Sequence, residues 1–186
     1  MLQDLIKTYE VLKKYIYIIN RGDKKTIIIR FKDENFYHLV GLHKINMDRF
    51  FPDYIKTKKR KYEYIKKHIH QFDGILQNQI KEKDTLIRRI QTFSKILDLL
   101  KGTDKTLLDL KIVPETSQYK GDYGILKIYE KVNCLLCLKV DYETEREIYC
   151  VPQSWMADTR IIQITEYKRP IYMENISMIP SKYYNK

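Results

Sequence analysis

The chain has 186 residues, 44% of them hydrophobic, which suits a single domain, residues 1–186, with its own core and excludes a disordered chain. Thirty-five Lys and Arg against 24 Asp and Glu leave a net charge of +11, so a polyanion, nucleic acid first, is the expected partner; a merely solvated basic surface is the plainer source of the same excess. No apolar run approaches the roughly 18 residues of a membrane span, and three cysteines make no disulfide framework, so a cytoplasmic chain without membrane contact is expected.

In chain order, Leu2, Leu5, Ile6, Tyr9, Leu12 and Ile16 recur at helical spacing and predict an amphipathic helix over residues 2–18, ended by NRGD. Thr26–Phe31, TIIIRF, is β-branched and reads as a strand, with a polar break at KDEN after it. Residues 47–91 read mostly as helix, interrupted at Pro52 and jointed near Gly74. The strongest helical pattern is Thr85–Leu100, with Asp84 as its cap and Gly102 as its stop, and it should pack across a sheet. After residue 120 come β-type runs, YGILKIYE, CLLCLKV, REIYCV, RIIQITEY and PIYMENISMI, separated by KVN, DYETE, PQSWMAD and KRP. This order predicts an α+β fold: N-terminal and central helices packed on a mainly antiparallel sheet formed largely by the C-terminal third.

Cys134 and Cys137 have the CxxC spacing, but three positions apart on a strand they face opposite sides, and no second pair completes a zinc site. His68 and His70, two apart on a helix, diverge. There is no GxxxxGK[ST], GxGxxG or GxSxG. Chemistry without a metal or cofactor is therefore expected.

The densest positive stretch is KTKKRKYEYIKK, which carries Lys56, Lys58, Lys59, Arg60, Lys61, Lys66 and Lys67. Cations for phosphates and tyrosine rings for bases are the combination used on single-stranded nucleic acid; a solvated helix face with inward aromatics reads equally well. NFYHLVGLHKINMDRF holds His38 and His43 beside Lys44 and Arg49. An imidazole titrates near neutrality and exchanges a proton with a ribose hydroxyl or leaving oxygen, while the cations stabilise the phosphate's developing charge. That is the minimum for metal-free RNA cleavage, and DNA, without the 2′-hydroxyl, would be inert. A histidine packed between Tyr37 and Leu39 is the plain alternative.

FKDENFYHLVGLHKI resembles the signature of a phage- and mobile-element-associated family of the barnase/EndoU/colicin/RelE-like nuclease superfamily, in which Phe-x-His-Leu-x-Gly follows a strand. Phe36, His38, Leu39 and Gly41 match it, IYCVPQSW resembles the family's strand ending in Pro-x-Ser, and RPIYMENI its closing strand. The likeness runs from about Thr26 to Pro180 and departs at Val40, where a small hydroxylated residue is common. It implies an α+β fold and a metal-independent ribonuclease with His38 as the acid/base and Ser154 facing the same cleft. Lys44 and Arg49 join them from proximity in sequence as stabilisers of the transition state, and Trp155 either as a base-stacking surface or, reading at least as well, as a large core or rim aromatic beside a turn. The expected function is endoribonuclease, a toxin of a phage or mobile element, with RNA as substrate and a protein antitoxin or host protein as partner. The alternative is a catalytically inactive nucleic-acid- or protein-binding module on the same scaffold.

Overall fold

The computed structural model describes residues 1–81, 83–111, 121–158 and 170–184. Helix α1 (Leu2–Lys13) leads into a hairpin of β1 (Tyr15–Arg21) and β2 (Thr26–Arg30), followed by α2 (Asp33–Leu39) and 3-10 turns at Leu42–Ile45 and Met47–Phe50. Then come α3 (Lys58–Lys67), α4 (Ile69–Ile80), α5 (Asp84–Gln91) and α6 (Lys95–Lys101). The strands β3 (Thr106–Asp109), β4 (Tyr123–Ile128), β5 (Asn133–Glu143), β6 (Glu147–Asp158), β7 (Pro170–Ile171) and β8 (Met173–Pro180) complete the order. The α+β architecture expected from the sequence is the observed one.

Several boundaries differ, each for a local reason. The first helix stops at Lys13, because YIYII that follows pairs on both edges as β1; of NRGD, Asn20 and Arg21 complete that strand, and Gly22 and Asp23 begin its hairpin turn. KDEN is not a break but the first turn of α2. Gly74 lies within α4, and the joint between helices is at His68. Thr85–Leu100 is divided at Thr92, whose hydroxyl donates to the Arg88 carbonyl at 2.7 Å and accepts from the Trp155 indole N–H at 3.3 Å. Asp84 is the first helical residue rather than the cap; the capping position is Lys83, whose side chain makes no capping hydrogen bond. PQSWMAD runs on within β6, and the short β3 had no counterpart in the sequence reading; the run RIIQITEY falls outside the described residues.

The eight strands form one sheet in the order β7-β3-β4-β5-β6-β2-β1-β8, antiparallel throughout except for β2 beside β6. β7 and β8 stand at opposite ends of that order yet are separated in the chain by Tyr172 alone, so the sheet curls until its edges approach. Gly22 donates its N–H to the Tyr172 carbonyl across the seam at 3.1 Å. One sheet face, with Ile27, Ile29, Leu136, Leu138 and Trp155, shares a core with the buried stripes of the helices. Leu108, Leu126, Leu135 and Cys137 make a small second cluster on the other face. Cys134 and Cys137 divide between the two faces as strand geometry requires. No helix among the described residues is long and apolar enough to cross a membrane.

Glu10 ties α1 to α3. Its Oε1 accepts from the Tyr62 hydroxyl (2.6 Å), Lys66 (2.8 Å) and Lys13 (3.2 Å). Burial works to raise the Glu10 pKa, but the hydrogen bonds from Lys66, Tyr62 and Lys13 outweigh it and hold the carboxyl at about 2. A carboxyl depressed in the folded state stabilises above its unfolded value, and that stability is lost as pH falls through the folded one. Glu10→Gln is therefore expected to cost about 1–2 kcal/mol at pH 7 in urea unfolding. The gap from wild type should close between pH 4.5 and 2.

Candidate active site

The site begins where β2 and β6 part. Their parallel pairing runs from Thr26 opposite Glu147 to Ile29 opposite Cys150 and ends there. β6 continues against β5, while the chain leaving β2 turns at Phe31 and Lys32 into α2. Asn35 Oδ1 accepts from the Lys32 N–H at 2.8 Å, and Asp33 and Glu34 suit the positive end of the helix. Phe36, Tyr37, Leu39 and Val40 are all buried, so α2 can sit in only one rotation. Glu34, Asn35 and His38, spaced by three and four, are left on its remaining face.

That face looks onto the stretch of β6 that β2 does not cover. Here Cys137 pairs with Ser154 and Leu138 with Pro152, which leaves Gln153 as the extra residue of a bulge. Pro152 fits such a bulge, having no N–H to place in a ladder. Glu34, Asn35 and His38, with Lys58 from α3, Lys139 from β5 and Gln153, line a cleft of about 290 Å³. The side-chain oxygen of Gln153 is buried and has no hydrogen-bond partner among the described residues. A buried acceptor left open in this way invites a donor from a ligand.

The electrostatics keep the cleft's imidazole neutral. Burial first, then Lys58 and Lys61, lower the His38 pKa from its ordinary value, with Asp48 acting the other way. The His43 ring lies 4.5 Å from that of His38, at 45°. Although part of it meets solvent, dehydration at its contacts, then His38, Arg89 and Lys44, push its pKa down to about 4 against a hydrogen bond to the Tyr37 backbone.

Arg89 is 5% exposed and has no carboxylate partner among the described residues. Its guanidinium donates to the His38 carbonyl at 3.4 Å, a cation at the C-terminal end of α2 where the macrodipole favours one. Burial lowers its pKa to about 10. Among the described residues no three His, Cys, Asp or Glu side chains group as a metal site would need.

A model of the family described as phage-Barnase-EndoU-ColicinE5/D-RelE like nuclease4 matches residues 1–182. The chain belongs to that nuclease family. No curated protein and no solved structure matches it.

Within this member of the family, the residues singled out from sequence are not all brought together. His38 and Lys58 line the cleft. Lys44 lies near enough to Arg89 and His43 to act on them through charge, and Arg49 packs over the Phe50 ring. Ser154 stands opposite Cys137, whose side chain belongs to the second cluster, so it is on the sheet face away from His38. Trp155 is 0% exposed, and a ring sealed in the core offers no face to a base.

In the basic stretch, Lys56, Lys58, Lys59, Arg60 and Lys67 are exposed, but two of its cations are engaged internally. Lys61 pairs with Asp48 at 2.7 Å and Lys66 with Glu10 at 2.8 Å. Arg89, Glu34 and Gln153 were missed. Arg89 had a signal, a charge three residues beyond Leu86 on an otherwise apolar helical stripe. Glu34 stands one turn before His38, a relation hidden when KDEN is taken for a loop.

Gly41 closes this corner with φ +83°, and a Cβ there would lie 2.7 Å from Leu86 Cδ1 and 3.2 Å from the Arg89 guanidinium. Gly41→Ala is expected to destabilise the protein by about 2–3 kcal/mol, strain and overpacking together, in urea unfolding. Gly74→Ala, with open space around it, should be neutral or stabilising.

Proposed function

We propose that this nuclease is a metal-independent endoribonuclease that cuts RNA by internal transesterification in the cleft of His38. The observation that carries the reading is a half-buried imidazole, held neutral, sharing one cleft with two lysines and an unpartnered Gln153 oxygen. A neutral imidazole is ready to take the proton of a ribose 2′-hydroxyl as that oxygen attacks its own 3′ phosphate. Lys58 and Lys139, which line the cleft, offset the charge that grows on the phosphoryl oxygens, and the Lys58 ammonium gives a proton to the departing 5′ oxygen. Gln153 accepts from a sugar or base donor and fixes the nucleotide. Arg89 holds the end of α2 in place from below, and Lys44 adds positive charge behind His43.

The choice of RNA follows from this chemistry, since DNA has no internal nucleophile. A role as a toxin of a phage or mobile element, restrained by a protein antitoxin, fits a nuclease that needs no cofactor. Purified protein incubated with RNA and with DNA of one sequence, with and without EDTA, tests the reading. RNA should be cut to 2′,3′-cyclic phosphate and 5′-hydroxyl ends with EDTA present, DNA should stay whole, and His38→Ala should lower the rate about 10²–10⁴-fold. Cleavage that needs added metal, or a full rate in His38→Ala, would contradict it. Binding with no product under any condition would favour a binding module that has lost turnover.

A further inference from the structure

A second concavity, about 540 Å³, lies on the other side of the first turn of α3. Lys58 faces the His38 cleft, whereas the next two residues, Lys59 and Arg60, line this groove. The two hollows are thus neighbours along the chain by a single Cα step of about 3.8 Å. The groove's floor is aromatic. Tyr64 stacks on His68 with ring centroids 4.1 Å apart and planes at 24°, and His68 Nδ1 is tied to the Tyr64 carbonyl at 3.0 Å. Tyr54 lines the wall, is 66% exposed, and has no ring partner among the described residues.

The charge on the rim is unusual for a helix start. The first turn of α3 holds Lys58, Lys59 and Arg60 and no acid, although the macrodipole disfavours cations there. Four other helices follow the ordinary rule, with Asp4 in α1, Asp33 and Glu34 in α2, Asp84 in α5 and Asp98 in α6; α4 has no acid in its first turn, but none of the Lys or Arg that α3 gathers there either. Lys61 and Lys66, on the same helix, are ion-paired, but Lys59, Arg60 and Lys67 pair with no acid among the described residues. Glu63 also lines the groove, and three cations against it leave the wall net positive. Positive charge that opposes helix stability and is not spent inside the fold is placed for an external anion.

We infer that this groove binds an unpaired nucleobase, stacked against Tyr54 and the Tyr64–His68 shelf, with the flanking phosphates on Lys59, Arg60 and Lys67. The nucleotide there adjoins the one in the His38 cleft, so the favoured substrate is single-stranded. The inference rests on the proposed function in taking nucleic acid as the ligand, but it does not depend on turnover. A base in a duplex presents its faces to its neighbours and not to a protein ring, whereas an unpaired one is free to stack.

The test is fluorescence anisotropy with a labelled single-stranded DNA oligonucleotide, which lacks the attacking hydroxyl and stays uncut, and with the same strand in a duplex. Wild type should bind the single strand more tightly. Tyr54→Ala should weaken single-strand binding about 5- to 150-fold, leave duplex binding and Tm unchanged, and keep the salt dependence, because it removes stacking and no charge. Tyr54→Phe should restore affinity to within about twofold. Lys59→Gln, Arg60→Gln and Lys67→Gln combined should flatten the salt slope for both ligands. Equal affinity of wild type and Tyr54→Ala for the single strand, or a wild-type preference for duplex, would overturn the assignment. So would a dimer that Tyr54→Ala dissociates with oligonucleotide affinity unchanged, which would give the groove to a second copy. These binding results are separate from RNA cleavage: loss of stacking without any cleavage would leave the groove assigned and remove the nuclease chemistry.

Discussion

The parting of β2 from β6 is the constraint on which the site depends. A parallel pair cannot be joined by a tight turn, so β2 must leave the sheet and the chain must travel before β6 returns to its side. The first thing it makes on leaving is α2, and α2 lies against the stretch of β6 that β2 no longer covers. Four buried apolar residues, Phe36, Tyr37, Leu39 and Val40, fix its rotation. His38, between them in sequence, is carried to the margin of the core, half-wet and facing the bulge at Gln153. Packing therefore does the orienting, and the polar groups of the cleft inherit their geometry from it.

Charge is distributed on the same frame with two distinct uses. Lys13, Lys61 and Lys66 sit in pairs with Asp33, Asp48 and Glu10 and hold α1, α2 and α3 together. Arg89 stands under the end of α2 without an acid partner among the described residues, where it touches a carbonyl and helps to keep His43 from charging. The exposed cations at the start of α3 serve neither purpose. A chain with a net charge of +11 thus uses its cations in distinct ways: Lys13, Lys61 and Lys66 are bound into ion pairs that build the fold, while Lys58, Lys59, Arg60 and Lys67 border the two concavities.

How much of this was legible in the sequence depended on whether the signal was local. Periodicity gave the buried stripe of α1, the strand at Thr26 and, among the described residues, strands after residue 120, because alternation and helical spacing are read within a few residues. It failed where a neighbour decided the outcome. Ile16 continues the stripe of α1 and yet lies in β1, since pairing with β2 and β8 outweighs one more helical turn. Pro152 looked like a turn because a bulge in a paired strand leaves the same mark. Of the candidate cleft's lining, His38 stood out in the sequence through a short motif. Strand alternation separates Ser154 and Trp155: Ser154 falls on the face away from His38, and Trp155, on the helix-covered face, is sealed in the core. Arg89 comes to His38 from 51 positions away, and only the packing of α5 under α2 reveals it.

The central claim is that His38 is a neutral, solvent-reachable imidazole beside an anion-binding cleft. Site-resolved NMR titration of the histidine rings, free and with a single-stranded DNA oligonucleotide, reads this directly. The His38 ring should titrate below 6.5 in the free protein and move upward when phosphate occupies the cleft, since a nearby negative charge favours the imidazolium. A ring that titrates at or above 6.5 and ignores the oligonucleotide would contradict the claim and remove the base on which the proposed chemistry stands.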